Sequence, residues 1–183
     1  MEDVPFHLSK SVASIACYPQ GYCDPSIPIA LLSLGLPADR FVRYVHRENP
    51  VDCAYNKAVK EALAKPSWKD IEWFVFGDND MQLTSNDIVP WLAAEGDVVG
   101  IMYDLDGQNR TWGQPDAFHA GLWRGRRTVL ERIGPPWFKT ILTDDGCSIE
   151  ICCCEYFGRK VRKAGYQLNR AGWAGHGSLG NRS

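Results

Sequence analysis

Trp73-Phe74-Val75-Phe76-Gly77-Asp78-Asn79-Asp80-Met81 is the stretch on which the fold of this chain turns. Four consecutive apolar residues predict a buried strand over residues 71–76, and two carboxylates follow just beyond its end. An Asp-x-Asp at the carboxyl end of a strand projects both acids from one turn into the crevice where open α/β sheets bind their ligands. Two hard oxygen donors so placed hold a divalent cation and, through it, a diphosphate. A solvated turn is the competing reading, because Gly, Asp and Asn are ordinary turn residues. Taken alone the pair favours the turn, so the weight falls on the remainder of the chain.

Composition bounds the problem. The chain has 183 residues, 45% of them hydrophobic, enough for one domain with a proper core. Charged residues make up 23% and the formal net charge is −2, which argues against a nucleic-acid binder driven by bulk electrostatics. The longest nearly apolar run, residues 27–36, is broken by Pro28, Ser33 and Gly35 and is shorter than the ~20 residues that span a bilayer. Met1-Glu2-Asp3-Val4-Pro5 is acidic and lacks the basic and apolar regions of a secretory signal. We expect a soluble, cytoplasmic protein of a reducing compartment, with no transmembrane segment and no nucleic-acid partner. The seven cysteines agree with that compartment: an odd count with Cys152, Cys153 and Cys154 adjacent is a poor disulfide framework. Neither do Cys147 and the triplet have the paired spacing of a structural zinc site, so buried thiols are expected.

Along the chain, strands and helices alternate. Residues 11–18 have the β-branched content of a first strand, ended by Pro19-Gln20-Gly21. Asp24-Pro25-Ser26 opens a helix with Ile27, Ala30, Leu31 and Leu34 at helical spacing, and residues 40–45 alternate as a second strand. Asn49-Pro50-Val51-Asp52 introduces a helix carrying Ala54, Ala58, Val59, Ala62 and Leu63 on one side, ended before Pro66. With residues 71–76 as the third strand, the order is that of a nucleotide-binding α/β half. A short helix at residues 85–94, a strand at 97–103, a polar loop at 104–115, a strand at 117–123 and a helix at 128–133 follow. A last helix is expected within residues 147–164, ended by Gly165. No repeat or low-complexity linker divides the chain, so one compact domain is the simplest account.

Several blocks then resemble, in collinear order, a family-2 type glycosyltransferase of the GT-A fold. They are Asp52-Cys53-Ala54-Tyr55-Asn56-Lys57-Ala58, Phe76-Gly77-Asp78-Asn79-Asp80-Met81, Asp97-Val98-Val99-Gly100, and Ala120-Gly121-Leu122-Trp123-Arg124-Gly125 continuing to Trp137-Phe138. Arg159 to Tyr166 and Gly175-His176-Gly177 complete the likeness, which runs from about Val12 to His176. The resemblance implies a GT-A (nucleotide-diphospho-sugar transferase) fold, a Rossmann-like mixed sheet flanked by helices. It implies one domain over residues 1–183, with a nucleotide-sugar-binding half at 11–103, an acceptor and catalytic half at 104–176 and a flexible tail at 177–183.

The implied activity is transfer of a sugar from a nucleotide sugar, a UDP-sugar by expectation, to an acceptor hydroxyl with inversion. The acceptor would be a glycan, a glycoprotein or a lipid-linked sugar. A metal, Mn²⁺ or Mg²⁺, would grip the diphosphate and neutralise the charge that develops on the leaving nucleotide. By the resemblance Asp80 ligates this metal, Asp78 lies near the metal or the ribose, and His176 of the late Gly-His adds a ligand. Imidazole suits Mn²⁺ better than Ca²⁺. Tyr18 and Pro19 stand at the end of the first strand, where the family has a Pro-Thr-Tyr type sequence that this chain lacks. Glu48, Asp52, Asn56 and Asn79 complete the nucleotide-contacting set, although Tyr55 replaces the Arg of the family's Ala-Arg-Asn pattern. Helix capping and surface solvation are the alternative roles for Glu48, Asp52 and Asn56.

The catalytic base departs from the pattern. Inverting members place a Glu-Asp pair at the start of the helix that ends in Ala-Gly-Tyr, so that one carboxylate deprotonates the acceptor. Counting back from Ala164-Gly165-Tyr166, that pair falls near Cys153-Cys154. Glu150, expected one helical turn before Cys154, is the first candidate and Asp145 the second, with Glu155 and Asp144 behind them. Arg124, Arg126 and Arg127, and again Arg159, Lys160, Arg162 and Lys163, read as solvated faces ahead of a lipid-phosphate contact. Trp112, Trp123, Trp137 and Trp173 are core residues by default and sugar-stacking platforms where one lines the cleft. Two other functions stand beside the transferase. One is a catalytically silent nucleotide- or sugar-binding module. The other is a phosphohydrolase with an Asp nucleophile, which Gln82 and the unexplained Gly-His disfavour.

Overall fold

The computed structural model describes residues 11–17, 26–33, 35–36, 41–45, 50–78, 81–83, 85–103 and 119–176. In chain order these form β1 (Ser11–Cys17), α1 (Ser26–Ser33), β2 (Phe41–Val45), α2 (Val51–Ala64) and a single 3-10 turn at Pro66–Trp68. Then come β3 (Trp73–Asp78), β4 (Met81–Gln82), α3 (Ser85–Ala93), β5 (Val98–Tyr103), β6 (Leu122–Arg126) and α4 (Arg127–Ile133). A short hairpin, β7 (Ile141–Leu142) and β8 (Ile149–Ile151), precedes α5 (Cys153–Lys163) and β9 (Leu168–His176). None of the described helices is long and apolar enough to cross a membrane.

Seven strands form one mixed sheet in the order β2-β1-β3-β6-β5-β9-β4. β1 pairs in parallel with β2 and with β3, and β9 pairs in parallel with β5. β6 runs antiparallel between β3 and β5, and β4 antiparallel to β9. The fold is therefore α/β, a mixed sheet flanked by helices.

The apolar run of β3 has no polar alternation because both of its faces are covered. Successive strand residues point to opposite sides. Phe74 and Phe76 accordingly join a core with Tyr55, Ala58 and Val59 of α2, Leu130 of α4 and Phe157 of α5. Val75 joins a second core with Leu31 of α1 and with Ile88 and Trp91 of α3. Aromatic rings dominate the first layer: Phe138 stacks on Phe157 at 4.7 Å between centroids, and Phe76 on Trp123 at 4.5 Å.

Arg124, Arg126 and Arg127 bind the protein's own backbone and acids and do not form a solvated face. Arg124 is fully buried between the rings of Trp73 and Trp91. Its guanidinium donates to the Trp91 and Ala94 carbonyls, which the end of α3 leaves without helical partners. Burial, and then the Arg126 charge, lower its pKa to about 10, so it stays protonated at neutral pH. Arg126 pairs with Asp97 at 3.4 Å, and Arg127 donates to the Ile71 and Trp68 carbonyls.

Two expectations about element bounds fail. β3 continues two residues past Phe76, so Asp78 is its last residue and not part of the turn. The last helix, α5, falls within the expected residues 147–164, while residues 149–151 form β8 of the hairpin, so Glu150 lies outside the helix. The strand expected over residues 117–123 is shifted to Leu122–Arg126.

Candidate functional site

The site forms where strand order reverses. From β1 the chain passes through α1 to β2 on one side, and returns through α2 to β3 on the other side of β1. Open α/β sheets take ligands in the crevice outside the carboxyl ends of strands at such a reversal. The β1–β3 register sets Ala16 beside Asp78, which brings the end of β1 and the end of β3 to that crevice.

Asp78 is half-buried and its side chain is held from α2. The Tyr55 hydroxyl donates to Oδ1 at 2.9 Å and to Oδ2 at 2.8 Å, one phenolic proton shared across both oxygens. Tyr55 is itself packed on Phe138 at 4.8 Å. The Asp78 backbone N–H donates to the Gly121 carbonyl at 2.6 Å. Gly121 has to be glycine here, since a Cβ would lie 2.6 Å from the Tyr103 ring and 2.7 Å from the Met81 sulfur. Tyr55→Phe removes the donor, and a hydrogen bond to a charged group contributes about 1.5–3 kcal/mol. We expect urea unfolding to show a loss of about 2 kcal/mol. For the metal site proposed below, affinity should also fall roughly tenfold because Asp78 is no longer oriented. Unchanged values for both would remove Tyr55 from the site.

β4, which follows the Asp-x-Asp in the sequence, meets the late Gly-His through strand pairing. Met81 of β4 lies opposite His176 of β9, and Gln82 opposite Gly175. Residues almost a hundred positions apart thus share one sheet edge. His119 lies at the same corner, its ring edge-on to Tyr103 at 5.8 Å. Burial, and then the Arg170 charge, lower its pKa to about 4, so its imidazole is neutral at physiological pH. Neutral imidazole is the metal-ligating form. His119 escaped the sequence reading because it follows the featureless loop at 104–115.

Asp80, Asn79, Tyr18, Pro19 and Glu48 lie outside the described residues, as do the His176 side chain, the loop at 104–115, Trp112 and the tail at 177–183. Among the described residues, no group of three His, Cys, Asp or Glu side chains could hold a metal. Of the three proposed ligands only the Asp78 side chain falls within that set. Its chemistry fits: a carboxylate has about four lone-pair sites, and a phenolic proton occupies one at a time.

Asp52 and Asn56 act on the protein's own backbone. Asp52 Oδ2 accepts the Thr140 N–H at 2.9 Å, while its buried Oδ1 has no hydrogen-bond partner among the described residues. Asn56 Oδ1 accepts the Trp137 and Phe138 N–H groups, and its Nδ2 donates to the Phe138 carbonyl at 2.7 Å. The oxygen is saturated by these bonds, leaving one amide hydrogen for anything else. Together the two residues pin residues 137–140 against α2, a holding role that the helical spacing did not disclose.

The two base candidates sit on the separate hairpin. Glu150 is an exposed residue of β8, so it is not one helical turn before Cys154. Asp145 closes the hairpin turn, its Oδ1 accepting the Thr143 hydroxyl at 2.6 Å and the Cys147 N–H at 3.0 Å. The Thr143 bond first, then the Cys147 bond, lower its pKa. That is the wrong direction for a base, which works best near the operating pH. Glu155, in the first turn of α5, is paired with Arg159 at 2.6 Å. Of the tryptophans, Trp123 and Trp137 are core residues, whereas Trp173 on β9 is 38% exposed and available to a ligand.

No protein-family model and no curated protein matches the chain. Solved structures do match. The crystal structure of A197 from STIV aligns with 91% of this chain and 82% of its own at a TM-score of 0.54, with 17% sequence identity. At that identity the likeness is one of fold.

Proposed function

We propose that the chain is a metal-dependent glycosyltransferase of the GT-A type, moving a sugar from a nucleotide sugar to an acceptor hydroxyl. The observation that carries this reading is the β4–β9 pairing, which sets Met81, directly after the Asp-x-Asp, opposite His176. This pairing brings the backbone of the late Gly-His beside the residue that follows the Asp-x-Asp, near the end of β3, which supports a diphosphate-gripping site there. A bound Mn²⁺ or Mg²⁺ would supply charge neutralisation for the leaving nucleotide. Asp78, Asp80 and His176 would hold it, with Tyr55 orienting Asp78. UDP-sugars are the first donors to try, and Trp173 offers a ring face to a sugar.

A silent nucleotide-sugar-binding module is the second reading, favoured by the thiols at the start of α5 where a carboxylate pair was expected. Nucleotide release from UDP-sugars with Mn²⁺, followed with and without a glycan acceptor, separates the two. The transferase releases UDP in proportion to acceptor, while the module binds and releases none. A positioned base contributes typically ~10²–10⁴-fold, so Glu150→Gln should depress transfer far more than donor binding if Glu150 is the base. Wild-type transfer in both Glu150→Gln and Asp145→Asn would clear the hairpin of that role.

A further inference from the structure

Glycosyl transfer makes no use of the three consecutive thiols where α5 starts. Cys152 is the N-cap of that helix, and its sulfur accepts the Glu155 N–H at 3.4 Å. Side chains in a helix tilt toward its N-terminus, which turns Cys154 back on its neighbours. The Cys153 and Cys154 sulfurs lie 3.9 Å apart. Cys153 is buried, but Cys152 is only half-buried and within reach of a small reagent.

The surroundings separate the two outer thiols chemically. Hydrogen bonding from Cys154, helped by the Glu155 N–H, lowers the Cys152 thiol to about 6 against opposing burial and the Glu155 charge. The bonds made to Cys152 and Cys153, and then burial, push Cys154 up. Two carboxylates face the cluster: Glu155 from α5 itself, held by Arg159, and Asp52 from α2, which acts on Cys153. The N-cap position and the Glu155 N–H thus favour a thiolate at Cys152, two residues along the chain from the Cys154 thiol. An accessible thiolate beside a second cysteine able to resolve it is the arrangement found in redox-responsive sites.

We propose that Cys152 and Cys154 form a thiol–disulfide exchange pair, Cys152 attacking a low-molecular-weight disulfide and Cys154 resolving the mixed disulfide. In the first step the Cys152 thiolate forms a new S–S bond as the reagent's own S–S bond breaks, and half of the reagent leaves as a thiolate. In the second, Cys154 gives its proton to solvent, attacks the Cys152 sulfur and expels the other half. One protein thiol and one thiolate are oxidised to a disulfide, and the small disulfide is reduced to two sulfhydryl products. Cys153 is excluded as the resolving partner, because adjacent α-carbons lie about 3.8 Å apart. Disulfides usually need at least ~4.4 Å between α-carbons, a limit that residues two apart escape.

Monobromobimane labelling with peptide mapping tests the nucleophile. At pH 6 Cys152 should label roughly tenfold faster than Cys53 and Cys147, its larger thiolate fraction outweighing its lower intrinsic nucleophilicity. Its rate should level off above pH 7 while theirs keep rising. Equilibration with glutathione disulfide should remove two hydrogens from the wild type at residues 152–154. Cys154→Ser should instead accumulate one glutathione on Cys152, and Cys152→Ser should give neither product. A Cys152 rate that still climbs through pH 8, or no adduct in Cys154→Ser, overturns the proposal. Far-UV circular dichroism reports whether the variants fold; if Cys152→Ser does not, the wild-type pH profile and the Cys154→Ser adduct still decide. No readout involves a nucleotide sugar, so the outcome is independent of the transferase reading.

Discussion

Removal of divalent metal is expected to abolish the nucleotide-sugar binding proposed here, and Asp80→Ala to reproduce the loss with metal present. The expectation follows from charge. A diphosphate brought to Asp78, with Asp80 two residues on in the sequence, would meet like charge, and a cation between them would turn repulsion into attraction. Losing an outer-shell partner of a metal typically costs ~10–100-fold, so loss of a ligand itself should weaken binding by about 100-fold or more. Calorimetric titration with Mn²⁺, then with excess chelator, reads the effect directly. Asp78→Asn is the informative companion, because an amide oxygen still accepts the Tyr55 hydroxyl. The fold should survive with a change of about 1 kcal/mol in urea unfolding while metal-dependent binding falls. Affinity indifferent to the chelator would defeat the metal-bridge reading.

Phe138→Ala should cause the largest loss of stability. The ring is 1% exposed and touches Tyr55, Trp123 and Phe157, so it joins α2 and α5 over the sheet. Deleting a buried phenyl costs about 3–5 kcal/mol where the cavity cannot collapse. Rings held on three sides leave little room for collapse. Against a total of roughly 5–15 kcal/mol, that is a large fraction. For a chain of this size the expected drop in Tm is about 6–20 °C. The backbone at Phe138 is tied to Asn56, so the segment should stay in place while the void opens beneath it. Phe138→Leu, which keeps most of the volume, should recover a substantial part of the loss. A Phe138→Ala cost below about 1 kcal/mol would mean the layer repacks freely.

Local physics made β1, α1, β2, α2 and the apolar part of β3 readable in the chain. Pro66 stops α2 after Ala64 because proline cannot continue a helix, and four apolar residues in a row demand cover on both faces. The Asp-x-Asp stands out for the same reason, because its reading rests on the strand directly before it. β9 was not legible. Gly172 and Gly175 dilute its pattern, and what makes it a strand is the pairing with β5 and β4, whose partners lie far away in the sequence. Glu150 was assigned to a helix because residues 147–151 carry no local signal against one, yet pairing with Ile141 and Leu142 claims them for a hairpin. Arg124 and Asn56 looked like surface or ligand residues. Only the assembled layers show a carbonyl at the end of α3 above one and the backbone of residues 137–138 beside the other. Helix stops and buried runs are properties of neighbouring residues, so composition and spacing along the chain determine them. Strand order, the meeting of Met81 with His176 and the partner of each polar group arise from contacts between distant segments, and folding in three dimensions decides those.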